Sequence, residues 1–203
     1  MEGQFLPKEK AMKKVMISIL LLAAVLSWSH VVAGQNGTSN YNAQLSAAAM
    51  EGDAAAVRQC LEKGANIEYR NSEGDTVLTI AAMYGQVEVV KLLLEKGADI
   101  EGKGNGGSTA LFSAAGLGHT EVVRLLLNKG ANIEARDDAG NTALTRAVMG
   151  GNADVVRLML DKGANVNARN HGGTSALDWA LGMARANMGW APIVKLLQNR
   201  GAR

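Results

Sequence analysis

One spacing governs this chain. Leu45, Leu78, Leu111, Leu144 and Leu177 stand 33 residues apart, and Ala48, Ala81, Ala114, Ala147 and Ala180 keep the same step. Gly64-Ala65, Gly97-Ala98, Gly130-Ala131 and Gly163-Ala164 follow it too, and Gly201-Ala202 comes 38 residues later, so the last unit carries a five-residue insertion. A chain built this way does not fold round a single centre. Each unit is one supersecondary element, and it buries its apolar face only by stacking on its neighbours. Within a unit the pattern is helical. After Thr76, a helix-capping residue, a helix of about nine residues runs to Tyr84. Gly85 turns the chain, and Val87 to Lys96 forms a second helix with Val89, Val90, Leu92, Leu93 and Leu94 on its apolar face. Gly97 ends it, because glycine takes the left-handed conformation without a Cβ penalty. The extended stretch that follows leads to the next unit. Five units are expected, at about 41–70, 71–103, 104–136, 137–169 and 170–203.

The start of each first helix carries a motif. It reads Thr76-Val77-Leu78-Thr79-Ile80-Ala81, Thr109-Ala110-Leu111-Phe112-Ser113-Ala114 and Thr142-Ala143-Leu144-Thr145-Arg146-Ala147, with a weaker copy from Ser175 to Ala180. These copies resemble the Thr-Pro-Leu-His-x-Ala pattern of the ankyrin-repeat family, over Tyr41 to Arg203. The resemblance implies an all-α repeat solenoid of five ankyrin-like helix-turn-helix repeats with short β-finger connections. Proline is missing from every copy, and Thr79, Phe112, Thr145 or Asp178 replaces the histidine. Terminal units show polar substitutions. Gln59 stands where inner units have leucine, and so does Gln198, as expected of capping repeats in an array complete at five units.

The residues before the repeats have another character. Lys8, Lys10, Lys13 and Lys14 precede the apolar run Val15 to Leu26, which is too short to span a bilayer. Val31-Val32-Ala33 ends the segment with small residues. This is the build of a secretory signal peptide over residues 1–33, cleaved between Ala33 and Gly34, with translation starting at Met1 or Met12. An uncleaved signal anchor is the alternative. Residues 34–40 (GQNGTSN) read as a flexible linker. Cys60 is the one cysteine, so an exported chain forms no internal disulfide. The net charge of +2 resides in the leading segment, and the balanced remainder has no general field for nucleic acid. An exported bacterial protein is expected, periplasmic or secreted, monomeric and free of the membrane once the signal is removed.

No catalytic or metal-binding constellation is evident. His119 and His171 lie far apart, His119 at an inter-helix turn and His171 on the last finger. Cys60 fills the Leu93 slot of its unit and is expected to be buried and inert. Neither an enzyme nor a cofactor is expected. The family resemblance instead implies protein binding through finger tips and the exposed, concave side of the first helices. The matching positions are Met83, Tyr84, Leu117, Met149 and Met183, where large apolar side chains suggest a contact surface. Along the fingers Arg70, Lys103, Arg136 and Arg169 recur, with Glu68, Glu101 and Glu134 two positions earlier, as solvated charge or as a rim that orients a partner. Arg58, Lys91, Arg124, Arg157 and Lys195 form a ladder on the second helices that reads as plain solvated surface. The expected function is binding of another protein, and an inhibitor or immunity factor blocking a toxin or enzyme is the alternative within that class.

Overall fold

The computed structural model describes residues 40–185 and 189–203, which leaves the expected signal segment and its Ala33/Gly34 cleavage point outside the described residues, together with Met188 of the insertion. Helical pairs stack along the chain. The first pair is α1 (40–51) with α2 (Ala54–Glu62), and the second is α3 (Val77–Met83) with α4 (Val87–Glu95). The third and fourth are α5 (Ala110–Leu117) with α6 (Thr120–Asn128), and α7 (Ala143–Met149) with α8 (Ala153–Asp161). The last is α9 (Ala176–Arg185) with α10 (Ala191–Asn199). Residue 40 is already helical, so the expected linker stops short of it.

Capping explains why such short helices form where they do. The Oγ1 of Thr76, Thr109 and Thr142 accepts the N–H of Thr79, Phe112 and Thr145 at 3.1, 3.3 and 3.4 Å, satisfying a donor that the first turn leaves free. At the other end Gly97 adopts φ 89°, and the Ala98 N–H folds back on the Leu93 carbonyl at 3.0 Å. The histidine missing from the motif is replaced functionally in three copies. Thr76 pairs with Thr79 through their hydroxyls at 2.8 Å, Thr142 with Thr145 at 3.3 Å, and the Ser175 hydroxyl donates to Asp178 at 2.7 Å. Phe112 breaks that pattern and contributes an aromatic ring instead.

The core is one continuous stripe of Leu, Val and Ala running through all pairs. Ala81, Ala82, Ala114, Ala115 and Ala147 are wholly buried between successive first helices, whose small side chains let them approach closely. Cys60 is buried at its expected place in this stripe, while Gln59 and Gln198 are exposed. The fingers are less sheet-like than expected. Among the described residues they hold only isolated antiparallel bridges, Arg70 with Thr76, Arg136 with Thr142 and Arg169 with Ser175. The finger over 103–109 has no bridge and instead makes a 3-10 turn at Asn105–Gly107.

Two ladders lock the repeats in register. At the start of the second helix of each repeat after the first, a side chain hydrogen-bonds a carbonyl near the end of the preceding repeat's first helix. Gln86 Nε2 donates to Met50 O at 2.8 Å, His119 Nε2 bonds Met83 O at 2.8 Å, Asn152 Nδ2 donates to Gly116 O at 2.8 Å, and Trp190 Nε1 donates to Val148 O at 2.7 Å. Gly85 matters here, because a Cβ on it would lie 2.7 Å from His119 Nδ1. Trp190 keeps this register across the insertion, with Pro192 in the first turn of α10 and α9 lengthened as expected.

Candidate protein-binding surface

The finger charges are the second ladder, and they tie the fold together. Arg70 donates to the Gly74 carbonyl at 3.0 Å and to the Lys103 carbonyl of the next finger. Lys103 Nζ reaches Arg136 O at 3.3 Å, and Arg136 donates to Gly140 O at 2.6 Å and Arg169 O at 2.7 Å. Arg169 donates to Gly173 O at 2.6 Å and pairs with Asp178 at 3.0 Å. The glutamates two positions earlier do the same. Glu68, Glu101 and Glu134 accept the N–H of Asp99, Asn132 and Asn165 at 2.8, 2.7 and 2.7 Å. Charged side chains read from sequence as solvated or partner-facing thus satisfy backbone groups of the neighbouring repeat.

The apolar positions divide in two. Tyr84 and Leu117, at the ends of α3 and α5, are 49% and 57% exposed, whereas Met83, Met149 and Met183 are half-buried. Met50, at the end of α1 and equivalent to Met83 at the repeat spacing, is 40% exposed.

A groove of about 350 Å³ is formed by fingers and first helices of the second to fourth pairs. Met83, Leu117 and Phe112 supply its apolar wall, and Gly116 its floor. Arg146 also lines the groove, with its guanidinium 5.5 Å from the Phe112 ring centre, a cation–π distance. Any side chain at Gly116 would press on Arg146, since a Cβ there would come within 2.8 Å of its Cγ. Glu73, Asp75, Asn105 and Ser108 line the finger end. Of these lining residues, sequence reasoning placed only Met83 and Leu117 in the site. Gly116 was legible as the gap in a column that holds Met50, Met83 and Met149 at the repeat spacing, and Phe112 as the lone aromatic at its motif position.

The second helices present a different surface. Arg58, Lys91, Arg124, Arg157 and Lys195 are all exposed, and only Arg124 pairs with the acid one turn before it, Glu121, at 3.6 Å. Such exposed pairs contribute little. Among the described residues no cluster of three or more His, Cys, Asp or Glu could hold a metal ion, and no helix is long and apolar enough to cross a membrane. His171 is exposed on its finger, linked through its N–H to Ala139 O at 3.0 Å.

Comparison with known proteins adds the family. No curated protein matches the chain. A family model described as ankyrin repeats (3 copies) matches residues 45–137 and 129–203, well over half of the sequence. The capped helix pairs, the glycine-ended second helices and this match together place the chain in the ankyrin-repeat family, whose repeats indicate a protein–protein interaction module.

Proposed function

We propose that this chain is an exported protein that binds another protein through its fingers and first helices, the side expected to be concave. One observation carries the assignment of the face. Exposed Leu117 lines an apolar-walled groove there and exposed Tyr84 follows Met83 of its wall in sequence, whereas the second helices carry an exposed ladder of cations. Affinity would come from a few large apolar anchors spread over several repeats. The wholly buried alanines between first helices support the concave reading, because closer approach on one side bends a stack toward that side. Export rests on the lysines and apolar run ahead of Ala33. The chain works by binding alone, without cofactor, as a monomer.

The test has two parts. Intact mass of protein recovered from the exported fraction should correspond to a chain starting at Gly34, and a retained Val15 to Leu26 segment would overturn the cleavage. A partner captured from the same fraction should then lose more than about 1 kcal/mol of affinity with Tyr84→Ala or Leu117→Ala, and little with Arg58→Ala or Arg124→Ala. The melting temperature serves as folding control. The face is misassigned if the ladder changes weaken binding and the first-helix changes do not.

A further inference from the structure

We infer that the finger end of the groove is a subsite for a basic side chain of the partner, with Asp75 as its counter-charge. This rests on the protein-binding reading above.

Asp75 is 5% exposed, the one acidic or basic side chain among the described residues that is buried. Among the described residues no cationic nitrogen forms an ion pair with it or with Glu73 beside it; the ion pairs found there join other residues. Local structure accounts for an acceptor at this point, but not for a charge. Three fingers open on Asn71, Asp137 or Asn170, each of which accepts two backbone N–H groups of its own loop. The remaining finger has Gly104 there, and Asp75 Oδ1 reaches across to accept the Asn105 N–H at 2.9 Å. A Cβ on Gly104 would collide with that oxygen, so the two residues are matched. A neutral amide could accept the same bond. The positions equivalent to Asp75 in the later fingers are Ser108, Asn141 and Thr174, all neutral.

A carboxylate held in a protein wall is costly unless a cation compensates it. Here its surroundings are suited to receive one. The groove offers Met83 and Phe112 for the apolar stem of an Arg or Lys, and Glu73 adds a second negative charge at the rim. Arg146, with its guanidinium over the Phe112 ring, disfavours another cation beside it, so we place the basic residue toward Asp75 and the apolar residues that flank it toward Leu117.

The probes are the capped tripeptide acetyl-Leu-Arg-Leu-amide and its neutral isostere with citrulline in place of arginine, titrated into the full-length chain. The amide resonance of Asn105, hydrogen-bonded to Asp75, is the local reporter. The arginine peptide should give a saturable shift, with at least tenfold weaker binding for the citrulline peptide and for the arginine peptide on Asp75→Asn. Asp75→Asn keeps the acceptor for Asn105 and should melt no lower than the parent. Equal binding of the two peptides to the unaltered chain overturns the inference, whatever the variant does to folding. So does undiminished binding to a folded Asp75→Asn chain, or the absence of saturable binding by the arginine peptide. If a captured partner depends on Tyr84 and Leu117 while the peptides are not discriminated, only this subsite is wrong. If the arginine peptide binds through Asp75 but no partner depends on that face, the broader reading fails instead.

Discussion

Asp178 shows how a single position can depart from its family's pattern and keep the physical task. Its carboxylate accepts the Ser175 N–H at 2.9 Å and the Ser175 hydroxyl at 2.7 Å, and Arg169 lies at 3.0 Å. The Ser175 bonds, above all that from the backbone N–H, hold its pKa below the ordinary aspartate value, with Arg169 adding to them and partial desolvation opposing. A depressed folded-state pKa means that the stabilisation is present above the unfolded-state value, about 3.9, and is lost as pH falls through the lower folded-state value. Asp178→Ala should therefore lower the melting temperature at neutral pH by about 2–4 °C, the effect of losing roughly 1 kcal/mol of capping in a domain of this size. The side chain is 47% exposed, which keeps the ion-pair share small. Melting curves of both proteins should converge under acid conditions. A gap that persists there would assign the loss to packing instead. At this scale the sequence was informative about identity and silent about neighbours. Cys60 was legible as buried because leucines share its column, whereas Asp75 reads as an ordinary loop acid until the finger across from it proves to lack its own side chain at Gly104.

Fingers were the least legible elements. Columns of Arg and Glu at the repeat spacing were visible, but a spacing of 33 states only that equivalent residues sit side by side. It does not say whether a charged side chain turns outward to water or sideways to the next backbone. The backbone needs decide this: with only isolated bridges among the described fingers, their carbonyl and N–H groups lack a sheet to satisfy them, and the long side chains of Arg136 and Glu101 reach them. The consequence is measurable. Arg136→Ala or Glu101→Ala should cost about 1–2 kcal/mol of stability, in line with hydrogen bonds made by charged groups, and Arg136→Lys should restore only part because one ammonium does not reproduce the planar fork. Arg157→Ala on the solvated ladder should stay within about 0.5 kcal/mol. Denaturant midpoints of the four variants check this, and equal midpoints for Arg136→Ala and Arg157→Ala would show that the finger bonds contribute nothing net. Helices were read more accurately. Their capping threonines and terminating glycines act within one turn, and local chemistry of that kind is written in adjacent residues.

Across the unit from Tyr41 to Arg203, the stack has an energetic profile that follows from its one-dimensional construction. Each inner helix pair has a neighbouring pair on either side, α5 packing against α3 and α7, and α7 against α5 and α9. Among the described residues the first and last pairs each have one neighbouring pair, and they carry exposed Gln59 and Gln198 where inner pairs have leucine. Stability in such an array is approximately a sum of weak repeat terms and strong interface terms, so an end pair is free to open at the loss of one interface while an inner pair cannot open without losing two. The two ends differ in their fastening. The last pair is held by Trp190 on Val148 O, by the Arg200–Asp161 pair, and by Asn167, whose side chain donates to Gly201 O at 3.2 Å and accepts the Arg203 N–H at 2.9 Å. The first pair is tied to the next repeat without an ion pair, through Met50 O, which accepts from Gln86, and through its finger, where Glu68 accepts the Asp99 N–H and Arg70 donates to Lys103 O; the Asn66 N–H to Asn42 bond at 2.7 Å lies within the first repeat. Amide hydrogen exchange of the whole chain should therefore show protection that peaks in α5 and α7, falls toward both ends, and falls further at α1 and α2 than at α9 and α10. Trp190→Phe removes the indole donor while keeping a ring over Gly151, and it should lower protection in α9 and α10 selectively. Uniform protection from α1 to α10, or an equal loss everywhere in Trp190→Phe, would mean that the array opens only as one cooperative unit and that its interfaces outweigh the repeats so strongly that position in the stack does not matter.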